Sequence, residues 1–170
     1  MKAETRRKQI LEKLSSENPV TGTSLGKKFD VSRQVIVQDI ALLRAQGHDI
    51  IATPQGYINK SKNQNGYILT VASKHDRKDI KEELETIVDL GGNVLEVVVE
   101  HPIYGEITGH LMIRSRRDVQ NFIDKLENFN ASPLATLTDG VHIHKIETPN
   151  ESVAIEIKQA LKNKNFLVKD

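Results

Sequence analysis

Residues 25–43 read LGKKFDVSRQVIVQDIALL, and this stretch decides the fold of the first part of the chain. Asp30-Val31 form a turn, and Ser32 is a residue of the kind that caps the start of a helix. The helix that begins there carries apolar residues at i, i+4 and i+7, which predicts one buried face. Those residues are Ile36, Ile40 and Leu43. Two helices joined by a short turn predict a helix-turn-helix.

The flanking segments extend this motif to a winged helix-turn-helix over residues 1–60. A short amphipathic helix is predicted from Ala3 to Ser16, and Thr23 is predicted to cap the second helix. His48 to Asn59 contains the breaker Pro54-Gln55-Gly56 between two apolar pairs, which predicts a small β-hairpin.

The third helix has the polar face of a DNA-recognition helix. Burying its apolar stripe leaves Ser32, Arg33, Gln34 and Gln38 outward at the end that enters the major groove. Arg pairs with guanine and Gln with adenine, and Lys2, Arg6, Arg7 and Lys8 are predicted phosphate contacts. Residues 1–60 hold 10 basic and 6 acidic side chains, a net charge of +4. Operator DNA is the expected partner, and a protein-interaction module with a solvated basic face is the alternative.

The composition of the chain excludes several classes of protein. The 170-residue chain contains no cysteine, which excludes disulfides, thiolate metal sites and a cysteine nucleophile. No apolar run approaches the roughly 18 residues of a membrane span, and the polar start resembles no signal peptide, so we expect a cytoplasmic protein without a membrane partner. Residues 61–66 are polar and aperiodic, and are predicted to be a linker to a second domain at 67–170.

The pattern after the linker alternates between strands and helices. It predicts an α+β fold: the winged helix-turn-helix followed by an α/β sandwich with helices packed on a largely antiparallel sheet. Helices are predicted at Arg77–Leu90, Ser115–Asn128 and Glu151–Lys162. The predicted strands are Tyr67–Val71, Asn93–Glu100, Glu106–Ile113, Leu134–Leu137, Val141–Ile146 and Phe166–Val168.

The segment Val141-His142-Ile143-His144 is the sharpest chemical signal. Side chains alternate across a strand, so His142 and His144 share one face, and Val141 and Ile143 are predicted to face the core. His75 and Glu83, eight residues apart, add a third imidazole and a carboxylate. Such a set suits a divalent transition metal, nickel or zinc, and the alternative is a pair of solvent-facing histidines.

Two resemblances follow from these motifs. Residues 25–43 resemble the helix-turn-helix of biotin-repressor-like regulators. The body resembles the three-histidine domain of niacin-responsive repressors of NAD biosynthesis, through three matching pieces. These are His75 with Glu83, the segment 99–106 (VEHPIYGE) and the segment 138–144 (TDGVHIH). The resemblance implies that His75, Glu83, His142 and His144 hold a divalent metal and that nicotinic acid is the corepressor.

The expected function is a ligand-dependent repressor of NAD-biosynthesis or niacin-uptake genes, not an enzyme. A homodimer would place two recognition helices on a palindromic operator. His101 and Tyr104, in a turn after the central strand, are candidate contacts for nicotinic acid, or they only shape that turn. Two other functions stay open: a metal sensor in which the ion is the effector, and a metal-dependent hydrolase with a DNA-binding head.

Overall fold

The computed structural model describes residues 2–60 and 66–170. Its contacts divide the chain into two compact units, residues 1–64 and 65–170. Residues 61–65 of the predicted linker lie outside the described residues. No helix in the described part of the chain is long and apolar enough to span a membrane.

The first unit is a winged helix-turn-helix. Its helices are α1 (Ala3–Lys13), α2 (Gly22–Phe29) and α3 (Arg33–Ala45), and its hairpin is β1 (Ile50–Thr53) with β2 (Gly56–Asn59). The side chain of Ser32 caps α3, as predicted, by accepting from the N–H of Val35. The second helix begins earlier than predicted, because Thr21 and not Thr23 is its N-cap. The core consists of Ile10, Leu14, Leu25, Phe29, Ile36, Ile40, Leu43 and Ile50.

A buried ion pair joins α1 to α3. Asp39 is 3% exposed, and Arg6 donates to it from Nε at 2.6 Å and from a terminal nitrogen at 3.4 Å. Arg7 donates to the same carboxylate at 3.4 Å. Two of the predicted phosphate contacts, Arg6 and Arg7, therefore have a structural role inside the unit.

Replacing Asp39 by alanine is expected to destabilise this first unit by about 3 kcal/mol. That is the low end of the range for breaking a buried ion pair, because both guanidiniums keep partial contact with water. Urea denaturation of the full chain measures the loss, and Glu12→Ala, an exposed carboxylate on α1, is the control. An Asp39→Ala variant as stable as the Glu12→Ala variant would show that the ion pair contributes nothing.

The second unit is a four-stranded sheet with helices on one face. The strands β3 (Tyr67–Lys74), β4 (Asn93–His101), β5 (Gly105–Ile113) and β6 (Val141–Thr148) run in the order β3-β6-β4-β5, and every adjacent pair is antiparallel. The helices are α4 (Ile80–Asp89), α5 (Arg116–Asn128) and α6 (Glu151–Asn163). The core between sheet and helices is formed by Leu69, Val71, Leu84, Ile87, Val94, Leu111, Ile113, Val119, Ile146, Ala154, Ile157, Leu161 and Phe166.

Two predicted strands are wrong. Leu134–Thr138 is a 3-10 helix, because the hydroxyls of Thr136 and Thr138 donate to backbone carbonyls three residues back and favour a local turn. Phe166–Val168 is not a strand of the sheet, and only an isolated bridge joins Leu167 to Ser73. The segment still covers the sheet, since Phe166 is buried in its core.

The predicted orientation of β6 is also wrong. Val141 and Ile143 are 40% and 39% exposed, whereas His142 and His144 are each 3% exposed on the face covered by the helices. Alternation along the strand is present as predicted, but the polar side is the buried one. Burying polar rings is stable only when they find partners, so the partners of these histidines decide the chemistry.

Candidate metal centre

Three imidazoles converge on one carboxylate oxygen under the helices. Glu83 Oε2 lies 2.5 Å from His75 Nε2, 3.2 Å from His142 Nε2 and 3.3 Å from His144 Nε2. Glu83 is 1% exposed. His75, Glu83 and His142 offer ligand atoms that lie within 4.8 Å of one another, so this group could hold a metal ion.

The four side chains reach the cluster from three places in the fold. His142 and His144 stand two residues apart on β6, on the same face. Glu83 lies in the first turn of α4, and His75 lies between β3 and a 3-10 turn (Arg77–Asp79) that leads into α4. A β-bulge in β4 between Val94 and Glu96 completes the arrangement, because the carbonyl of Glu96 accepts from His144.

The second ring nitrogens fix the tautomer of all three histidines. Each Nδ1 lies within hydrogen-bond distance of a backbone carbonyl: His75 at 3.0 Å from Asp76, His142 at 2.8 Å from Gly140, and His144 at 3.0 Å from Glu96. A carbonyl only accepts, so Nδ1 carries the hydrogen and Nε2 presents its lone pair. Three lone pairs facing one carboxylate repel it unless a cation lies between them. The donor set therefore fits a divalent ion.

Without an ion, protons take the place of the cation. Burial alone would raise the pKa of Glu83, but the three histidines outweigh it and hold that pKa well below its ordinary value. Burial alone would lower the pKa of His75 and of His144, but Glu83 outweighs it and raises both above the ordinary value of 6.5. The metal-free cluster thus favours protonated imidazole beside ionised carboxylate.

This arrangement predicts opposite pH dependences with and without metal. Stability from the raised histidine pKa values is fully present below about pH 6.5 and is lost as pH rises through those values, so the metal-free Tm should fall there. Metal binding displaces the same protons, so metal affinity should rise with pH, by about tenfold per unit for each proton displaced. Thermal unfolding and chelator competition from about pH 6 to 8 measure both trends. A metal-free Tm that rises with pH, or a metal affinity that falls with pH, would contradict the assignment.

A cavity adjoins the cluster at His75. It measures about 400 Å³ and is lined by His75, Asp76, Arg77, Ile80, Pro133, Ala135, Thr136, Asp139 and Gly140. The 3-10 helix that was predicted to be a strand supplies Ala135 and Thr136 of this wall. Arg77 is exposed, and its guanidinium makes no ion pair with any described residue. Sequence reasoning did not identify Arg77, because only the fold brings it to the same cavity as His75.

The other predicted site residues lie elsewhere in their units. Ser32, Arg33, Gln34 and Gln38 are exposed at the start of α3. His101 and Tyr104 lie in the β4–β5 turn, where His101 Nδ1 accepts from the backbone N–H groups of Ile103 and Tyr104. Neither residue lines the cavity beside His75, and their contact with a ligand stays a prediction.

Comparison with known proteins agrees with this description. Residues 6–58 match an HTH domain and residues 68–170 match the 3H domain. The fold, the histidine cluster and these matches define a class of protein in which a DNA-binding helix-turn-helix is joined to a 3H domain.

Two relatives identify the family within that class. The chain is 45% identical over 162 residues, 95% of its length and 91% of the relative's, to the "Probable transcription repressor NiaR" of Thermotoga maritima. It is 43% identical over 169 residues, 97% of its length and 94% of the relative's, to the "Transcription repressor NadR" of Bacillus subtilis. The chain belongs to the family of 3H-domain transcription repressors represented by NiaR and NadR.

Proposed function

We propose that this protein is a homodimeric repressor that binds operator DNA through α3, with nicotinic acid as corepressor at a divalent metal held by the histidine cluster. Its targets are genes of NAD biosynthesis or niacin uptake, and it acts in the cytoplasm, where the chromosome lies. The observation that carries the proposal is the convergence of three imidazoles and one carboxylate beside a cavity, in a chain that also has a helix-turn-helix.

The metal assignment rests on the donor set. His75, His142 and His144 would each bind through Nε2, and Glu83 through a carboxylate oxygen, with the three Nδ1–H groups already held by carbonyls. Imidazole and carboxylate without sulfur suit zinc or nickel. The alternative of solvent-facing histidines would require exposed rings, whereas His142 and His144 are each 3% exposed.

The nicotinic acid assignment rests on the cavity and on the resemblance described above. A cavity of about 400 Å³ is within the range for small ligands. Nicotinate is an anion at neutral pH, and Arg77 in the cavity wall offers a planar pair of donors that matches a carboxylate.

Operator binding under four conditions tests the proposal. The operator is first selected from a pool of random duplex DNA, and its affinity is then measured by fluorescence anisotropy with metal, with nicotinate, with both and with neither. An allosteric coupling of about 1–3 kcal/mol predicts operator affinity 5- to 150-fold higher with both than with metal alone. A full response to metal alone would make the ion the effector and contradict the corepressor role of nicotinate.

Arg77→Ala is expected to weaken nicotinate binding while leaving metal binding unchanged. Loss of a hydrogen bond to a charged group costs about 1.5–3 kcal/mol, which corresponds to roughly a 10- to 150-fold rise in Kd. Isothermal titration calorimetry of the metal-loaded protein with nicotinate measures this Kd. The matched control is Lys78→Ala, which removes a neighbouring exposed cation outside the cavity wall. An equal loss of nicotinate affinity in both variants would mean that only the overall positive charge matters, and it would contradict a direct contact between Arg77 and nicotinate.

We propose no enzymatic activity. The carboxylate closest to the candidate metal, Glu83, already faces three imidazoles, so it is a ligand and not a general base free to activate water. The names of both relatives, which are transcription repressors, support the same assignment.

A further inference from the structure

Ser73 is a buried hydroxyl without a partner, next to the histidine cluster. It is 0% exposed, and its Oγ makes no hydrogen bond to any described residue. On the β3–β6 ladder Ser73 is paired in register with His142. Side chains of directly opposed residues point to the same face with Cβ atoms about 4.5–5.5 Å apart, so Ser73 stands beside His142 on the helix-covered side.

A second buried polar atom without a partner belongs to Glu83, which contacts the same histidine. Glu83 uses Oε2 toward all three imidazoles, while its Oε1 is buried and has no hydrogen bond among the described residues. Leaving a buried polar atom unsatisfied is costly, and buried polar atoms in native proteins almost always have a protein or water partner. Two such atoms beside one candidate metal centre indicate a shared occupant.

The chemistry of the two atoms specifies that occupant. A carboxylate oxygen can only accept, and a serine hydroxyl can accept or donate. A water molecule that gives its lone pair to the metal has two hydrogens left, one for each of these oxygens. A ligand carboxylate has no hydrogen to give to Glu83. Ser73 is also absent from the wall of the cavity assigned to nicotinate, so the occupant is not that ligand.

We propose that Ser73 is a positioning residue that, with Oε1 of Glu83, holds a water molecule on the metal inside the domain. The proposal rests on the metal part of the proposed function and is independent of nicotinate and DNA. It adds an interior water to the metal's coordination shell, and it explains why a strand otherwise rich in apolar residues carries a hydroxyl at this fully buried position.

Ser73→Ala gives a result that a merely structural serine would not give. Removing an unpartnered buried hydroxyl should leave the Tm of the metal-free protein unchanged or higher. Metal affinity should fall by about 10- to 100-fold, as is typical when a residue that orients the groups around a metal is lost. Thermal unfolding of the metal-free protein and chelator competition with Co²⁺ measure the two effects. Thr70→Ala, which removes an exposed hydroxyl from the other face of β3, is the matched control.

The visible absorption of bound Co²⁺ reports the loss of water directly, because it becomes more intense as the coordination number falls. We expect a stronger band in Ser73→Ala than in the wild type or Thr70→Ala. Identical spectra and affinities in all three proteins would overturn the role of Ser73 while leaving the metal site in place. A lower Tm without metal, with unchanged affinity, would make Ser73 structural only. No Co²⁺ binding by the wild type would overturn this proposal together with the metal site.

Discussion

Replacing His142 and His144 together by alanine is expected to abolish metal binding and the response of operator affinity to nicotinate. Two of the three imidazoles disappear, and Glu83 is left buried with only His75 beside it. Operator binding without ligand should remain, because the histidines belong to the unit at 65–170 and the recognition helix to the unit at 1–64. Chelator competition measures the affinity for metal, and fluorescence anisotropy of the selected operator measures the affinity for DNA.

The control for this double variant is His110→Ala. His110 lies on β5 and contacts the side chain of Glu96 at 3.6 Å. Since His144 is held by the backbone carbonyl of Glu96, which this substitution leaves in place, the loss of His110 should change neither metal nor nicotinate binding. The double variant leaves the buried charge of Glu83 without two of its partners, which can destabilise the domain. The same measurements are therefore also made on Glu83→Gln, which removes one metal ligand without leaving a buried charge and keeps the volume of the side chain. A nicotinate response that survives in the double variant would contradict the site.

Arg33→Ala and Gln34→Ala are each expected to lower operator affinity by about 1–3 kcal/mol, a factor of roughly 5 to 150. Both side chains are exposed at the start of α3, the end of a recognition helix that reads bases. The loss should be specific to sequence, so affinity for random duplex DNA should fall much less. Metal and nicotinate binding should be unchanged.

Gln46→Ala tests whether the effect is local to that end of the helix. Gln46 is the exposed C-cap residue of α3, and we expect operator affinity close to that of the wild type. Equal losses on operator and random DNA in Arg33→Ala would make this arginine a phosphate contact and not a base contact.

The winged helix-turn-helix was predictable because its signals are local. The stripe of Ile36, Ile40 and Leu43 and the cap at Ser32 each follow from a few adjacent residues. The predicted strand at Leu134–Leu137 failed although its signal is also local. The hydroxyls of Thr136 and Thr138 donate to carbonyls three residues back, and these bonds favour a turn that apolar content alone does not reveal.

The residues of the candidate site were predictable, but their burial and the distant residues that contact them were not. Alternation placed His142 and His144 on one face, yet it could not tell which face was buried, because valine and isoleucine at alternate positions normally mark the core. The deciding contact is Glu83, 59 residues away along the chain from His142. Arg77 and Ser73 carried no local signal, since only the cavity and the strand register bring them to the site.

Thermal unfolding of the metal-loaded protein with nicotinate, nicotinamide or NAD, before and after chelation, tests the central claim most directly. A ligand that binds only the folded state adds about 2.7 kcal/mol when present at 100 times its Kd, which is an easily measured rise in Tm. We predict that nicotinate alone raises the Tm and that the chelator removes the rise. A nicotinate effect of the same size after chelation would contradict a metal-assisted pocket, and no effect of nicotinate would contradict its role as corepressor.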